Sequence, residues 1–273
     1  MTAVTAFVSF RNWALSRYGS VITPNSEVST MEASNLQSPL MADIWRTQSE
    51  DEYFDIDLQQ QRPIDILVLI GPKFDDPDED ESQQPFVESD QVTISMSNSA
   101  AGGIDVLPET TVNMNYRKGI GYFVWMPTST VTARYVRVRV NAISRVANAY
   151  FDLSYVWLGQ RHQFAYNYSF NDEFTVMDLG LTDKSPTSGS MYYNKGAKLR
   201  KHTLDFSLIQ NSEVRNFKEF HWFVGKGEPF IFSLADTGDL SYDTMLCHFV
   251  SEPGLSVTSP ITNRTRYNLE EVR

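Results

Sequence analysis

Residues 64–70 read Ile-Asp-Ile-Leu-Val-Leu-Ile, apolar on both faces apart from Asp65. Such a run suits a central strand covered on both sides. Short segments of period-two alternation surround it. In 54–58, Phe54, Ile56 and Leu58 alternate with Asp55 and Asp57. In 92–96, Val92, Ile94 and Met96 alternate with Thr93 and Ser95. Residues 121–126 end at Pro127. In 134–140, Val136, Val138 and Val140 face one way and Arg137 and Arg139 the other. In 151–157, Phe151, Leu153, Tyr155 and Trp157 are expected to share a face. Many short strands with irregular turns between them predict a sandwich or jelly roll. An aromatic content of 13% with 13 Tyr and 17 Phe leans the same way. Residues 1–50, rich in Ser, Thr, Asn and Pro, read as loop.

The apolar pattern pauses at Gly159-Gln160-Arg161, which places a boundary there. The expected class is therefore mainly β: an N-terminal β-sandwich or jelly roll over 1–160, then a β-rich domain over 161–273 with one helix at about 212–224. In that helix Val214, Phe217, Phe220 or His221, and Val224 fall at helical spacing. Asn211 or Ser212 is expected to cap it, and Gly225 and Gly227 to end it. Strand material is expected at 164–170, 174–180, 229–234, 244–250 and 264–272. In 202–208, His202, Leu204, Phe206 and Leu208 are expected on one face. The polar stretch 182–197 is too long for a tight hairpin and reads as a functional or mobile loop.

Charge narrows the partners. Of 34 Asp/Glu and 23 Lys/Arg, residues 1–160 hold 20 and 11, so the first domain carries most of the net charge of -11. Such a surface repels phosphate backbones and anionic lipids, so neither nucleic acid nor membrane insertion is expected. A single cysteine, Cys247, allows no disulfide within one chain. The first residues lack the pattern of a secretion signal, so synthesis and folding in a cytoplasm are expected.

The candidate chemical constellations are weak. In the acidic run 75–81, Asp76, Asp78 and Asp80 alternate like the start of a calcium loop. Glu81 stands where the turn glycine belongs, and Val87 where a bidentate carboxylate belongs. No metal and no cofactor is therefore expected. His162, His202, His221 and His248 show no metal-ligand spacing, and His202 and His221 fall on apolar faces. Cys247 and His248 are neighbours on an expected strand, so they point to opposite faces and form no dyad. With no nucleophile or cofactor motif, an enzyme is not expected; a glycosidase carboxylate pair is a remote alternative. Lys195, Lys198, Arg200 and Lys201 form a basic cluster beside Tyr192 and Tyr193, a candidate subunit interface. Trp13, Tyr18 and Trp125 are candidate glycan contacts, because a sugar site needs a flat aromatic face.

The segment Ala33-Ser34-Asn35-Leu36 with Pro39 and then Ile44-Trp45-Arg46-Thr47 resembles the opening of discoidin-like, galactose-binding-like jelly rolls. Phe54–Leu58 followed by Arg62–Gly71 is similar to that family's acidic strand, short polar turn and apolar strand. Arg134–Val138 and Phe151–Gly159 resemble its late and closing strands. With a β domain and one helix following, the element order resembles bacteriophage tail-tip or baseplate proteins of the distal-tail or adaptor type, although there the ring-forming domain commonly comes first. This resemblance implies a structural virion protein, made in the host cytoplasm. It would form ring-like homo-oligomers and join tail tube, hub or fibres. The alternative it implies is a carbohydrate-binding module for host glycan.

Overall fold

The computed structural model describes residues 5–38, 40, 42–49, 51–71, 90–114, 121–141, 150–169, 173–184, 191–194, 198–257 and 262–272. The acidic run 75–81 lies outside them. The chain divides into two compact units, Met1–Gln163 with Phe230–Met245, and Phe164–Pro229 with Leu246–Arg273.

The first unit opens with β1 (Phe7–Ser9), a 3-10 turn at Ser16–Tyr18, β2 (Val21–Pro24), a second at Ala33–Gln37 and β3 (Trp45–Arg46). The first fifty residues thus hold strands where loop is expected. There follow β4 (Asp51–Ile64), β5 (Ile66–Ile70), β6 (Gln91–Ser97), β7 (Leu107–Asn113), β8 (Tyr122–Trp125), β9 (Val131–Asn141), β10 (Asp152–Leu153), β11 (Tyr155–Gly159) and β12 (His162–Gln163). In the second unit come β13 (Glu173–Asp178), β14 (Leu181–Lys184), β15 (Met191–Asn194), β16 (Lys198–Gln210) and α1 (Val214–Val224). The chain returns to the first unit for β17 (Phe230–Ser233) and a short α2 (Leu240–Asp243). It then runs through β18 (Thr244–Phe249) to β19 (Ser256–Val257) and β20 (Thr262–Glu271). The protein is mainly β, as the sequence predicts.

In the first unit a five-stranded sheet, β2-β4-β9-β6-β7, faces a three-stranded sheet, β11-β5-β8. Phe54, Ile56, Val92, Ile94, Val136 and Val138 from one meet Leu67, Leu69, Phe123, Val156 and Leu158 from the other in one buried cluster. This is a β-sandwich. Trp45 packs edge-on to Phe54 at 5.2 Å, and its ring N–H donates to Ser26 O. Every residue of β5 is buried, as its two apolar faces require.

Three local expectations change. The residues between Leu58 and Arg62 form no turn: β4 runs on through them with a register shift against β9, and Gln59 takes φ 62. Such a bulge shifts the register and bends a strand without ending it, and β9 remains the partner on both sides. The chain also breaks between β10 and β11, so Val156 and Leu158 join the sandwich core, not Tyr155 and Trp157. Trp157 instead donates its ring N–H to Ser9 Oγ at 2.9 Å. A Cβ at Gly159 would sit 2.6 Å from Arg11 O, so glycine is required there by close backbone approach. Finally, a single boundary at 160/161 does not describe the first unit. β17 pairs antiparallel with β1, which draws Phe230–Met245 back into it.

In the second unit β16 lies between β13 and β20. Strand is found at Glu173–Asp178 but not at 164–169, where Phe164 instead packs on Phe206 and Phe217. A register shift between Phe206 and Ile209 turns Ile209 inward and leaves Leu208 exposed, against the expected alternation. The stretch 182–197 contains the paired strands β14 and β15. Helix α1 buries Phe217, Phe220 and Val224, as its spacing predicts. Neither Asn211 nor Ser212 caps it: Glu213 is the N-cap residue, with no side-chain capping bond, and Gly225 ends it at φ 53.

Phe217, Phe220, Phe249 and Tyr267 surround His221, whose Nε2 lies 2.7 Å from Tyr267 Oη. Burial pushes the His221 pKa down to about 4. The unfolded chain therefore binds a proton below about pH 6.5 that the folded chain refuses until about 4, so stability falls as pH drops through that window. The melting temperature should fall more steeply between pH 6.5 and 5 for the wild type than for His221→Gln. Parallel profiles from thermal scans would refute the assignment.

Candidate functional site

The strongest candidate is the outer face of the five-stranded sheet. In β4 and β9 the inward side chains are apolar apart from Glu52, so alternation turns Asp51, Tyr53, Asp55 and Asp57 outward opposite Arg137 and Arg139. Pairing aligns them in cross-sheet rows. One row runs Tyr53, Arg139, Thr93, Thr111; the next runs Thr23, Asp55, Arg137, Ser95. Arg137 clamps Asp55 with two bonds of 2.8 and 2.7 Å, and Arg139 clamps Asp51 at 2.6 and 2.5 Å. Arg134 holds Asp57 in the same way at 2.9 Å. Two parallel bonds fix both partners in plane, which a lysine cannot do. The bonds from Arg139 hold Asp51 below the ordinary carboxylate range, and those from Arg134 do the same for Asp57. The Arg137 guanidinium also lies over the Tyr53 ring at 3.9 Å. Thr93 and Thr111 join hydroxyls at 2.9 Å.

Asn25, Asp51, Tyr53, Thr93, Ser95, Glu109, Arg137 and Arg139 enclose a pocket of about 200 Å³ on this face. Asn25 is set by its Nδ2 bond to Glu52 Oε2 at 2.7 Å. Each side chain lining the pocket carries a hydrogen-bonding group, and polar and apolar atoms share its wall about equally. The alternation of acid and arginine along β4 and β9 is plain in the sequence. That the two strands are partners is not, because Asp55 and Arg137 are 82 positions apart in the chain.

The residues singled out from sequence fall elsewhere. Trp13 and Trp125 are each 7% exposed and belong to the sandwich core, so neither offers a ring face to a sugar. The Trp13 ring N–H donates to Pro63 O, and Arg62 covers its ring at 4.6 Å. Tyr18 is partly buried and packs edge-on to Trp13 at 5.2 Å. Tyr192 and Tyr193 lie on β15, opposite Asp183 and Thr182 of β14. Lys195 lies outside the described residues. Lys198 is exposed at the start of β16. Arg200 is 9% exposed and ion-paired to Glu271 at 2.9 Å. Lys201 pairs with Glu270 at 2.7 Å. The cluster is therefore no single patch: strand alternation sends Arg200 and Lys201 to opposite faces. Cys247 is fully buried, and burial pushes its thiol pKa well up, which removes it as a nucleophile. His202 is buried at 6% exposure. Among the described residues no group of three or more His, Cys, Asp or Glu could hold a metal ion, and no helix is long and apolar enough to cross a membrane.

No protein-family model matches the chain, and no curated protein matches it. Solved structures do. The lectin-binding domain of lectinolysin, in a mutant complexed with Lewis b, is 14% identical with a TM-score of 0.41, over 56% of this chain and 98% of that one. The family 32 carbohydrate-binding module of Clostridium perfringens NanJ, complexed with galactose, is 11% identical with a TM-score of 0.41, over 56% and 99%. Chitosan-binding module 1 of a Paenibacillus sp. IK-5 chitosanase/glucanase is 18% identical with a TM-score of 0.40, over 55% and 99%.

Removing one partner of a buried pair strands the other charge. Glu271→Ala should destabilise the second unit by about 3–5 kcal/mol, while Lys201→Ala should cost no more than about 1 kcal/mol. Comparable melting temperatures for the two variants would contradict the placement of Arg200.

Proposed function

We propose that the first unit is a non-catalytic binding module that takes a glycan on the outer face of its five-stranded sheet. The pocket between Tyr53, Asp51, Arg137 and Arg139 carries the proposal. Sugar hydroxyls donate and accept at once, so they suit a wall where carboxylate, guanidinium, amide and hydroxyl groups stand side by side. Each carboxylate oxygen has more than one acceptor site, so an Asp already bound to Arg still accepts from a ligand. The ion pairs also hold these groups before any ligand arrives, which reduces the ordering cost of binding. An apolar ligand would leave the remaining hydrogen-bonding capacity of these groups unmet.

The tail-assembly role expected from element order draws on that order alone, so the glycan-binding alternative is taken as the function.

The test is a glycan array followed by titration calorimetry on the full chain. Tyr53→Ala removes one wall and the ring beneath Arg137, and should weaken binding of the array's best ligand about three- to tenfold with the fold intact by circular dichroism. An array without any bound glycan would refute the proposal, and so would an unchanged affinity in the folded variant.

A further inference from the structure

The pocket's charged groups are not equally engaged. Arg139 is held by Asp51 and Arg137 by Asp55. Glu109 lines the same pocket and is exposed, with no hydrogen bond or ion pair among the described residues. Its position has a structural cause. Ile94 pairs with Thr110 and Met96 with Leu107, so Pro108 and Glu109 together face Ser95 across a bulge. Bulges re-aim side chains, and this one sets a carboxylate at the rim of the arginine row. Glu109 is close enough to act electrostatically on both guanidiniums. Of the charged groups lining the pocket, Asp51 is taken up by Arg139, and Arg137 is taken up by Asp55, which stands just outside the lining; Glu109 is the lining charge left without a bidentate partner. A ligand carboxylate would meet arginines already engaged and a carboxylate that is not. A ligand ammonium would meet the reverse.

We propose that this pocket selects sugars bearing a protonated amine, of the deacetylated hexosamine class, with the ammonium seated against Glu109. The inference rests on the glycan-binding reading above and adds the ligand's charge to it.

The experiment titrates the full chain with short oligomers of glucosamine, N-acetylglucosamine and galacturonate. It is repeated for Glu109→Gln and for Glu252→Gln, an exposed carboxylate of the second unit. The glucosamine oligomer should bind about three- to fivefold more tightly than the N-acetylated one, the scale of one exposed ion pair. Galacturonate should bind most weakly. Glu109→Gln and raised salt should erase the preference, and Glu252→Gln should leave it intact, which separates a local contact from general attraction to an acidic protein. Equal or tighter binding of the N-acetylated or uronate oligomer overturns the amine selectivity and leaves the glycan reading standing, as does an unchanged order in Glu109→Gln. If none of the three binds while the array shows another glycan bound, the amine selectivity alone is overturned. If the array too is empty, both fall.

Discussion

The pairing of β4 with β9 is the contact on which the first unit depends. Phe54 and Ile56 enter the core beside Val136 and Val138, while Asp55 and Asp57 stay outside beside Arg137 and Arg134. A slip of one residue would bury the charges and expose the valines, so the core dictates the register. The bidentate pairs add agreement on the other face. Half-exposed ion pairs contribute little to stability, and their weight here lies in geometry. The burial of Phe54, Ile56 and the valines stabilises the sheet; the arginines then have one arrangement in which to meet their partners.

Structure and proposed site thus share one cause. The outer face is ordered because the inner face is dry. Arg137 illustrates this: its guanidinium is positioned by Asp55, by stacking on Tyr53 and by a strand whose next residues are buried valines. A ligand bound there would meet groups already in place, at the cost that each of them has part of its hydrogen-bonding capacity in use.

Much of this was readable in the amino-acid order. The alternations at 54–58 and 134–140 and the two-faced run at 64–70 are local; the first two lie in β4 and β9, and the third holds β5, with Ile64 closing β4 and Asp65 between the strands. The spacing of Phe217, Phe220 and Val224 produced the helix. The failures are non-local or turn on one residue. Counting in twos places Leu208 on one face with Leu204 and Phe206, and a bulge after Phe206 cancels the count. The same arithmetic puts Tyr155 and Trp157 on one face with Phe151 and Leu153, and the break before β11 separates the two pairs. Arg200 looked like part of a surface cluster because Lys198 and Lys201 flank it, yet its partner Glu271 lies at the far end of the chain. The flat aromatic faces of Trp13, Tyr18 and Trp125 do not point to the pocket: both tryptophans are core residues and Tyr18 packs against that core. Glu109 carried no signal, since nothing in its neighbours announces the bulge.

The return of Phe230–Met245 to the first unit has a consequence for biosynthesis. β1 is among the earliest strands to emerge, but its partner β17 is made only after β13 to β16 and α1. The β1 edge must therefore wait, with backbone donors and acceptors unpaired, while most of an unrelated unit is translated. Waiting edges invite pairing with other chains, so aggregation during synthesis at high expression would begin at Phe7–Ser9 and not at the longer strands of the sandwich.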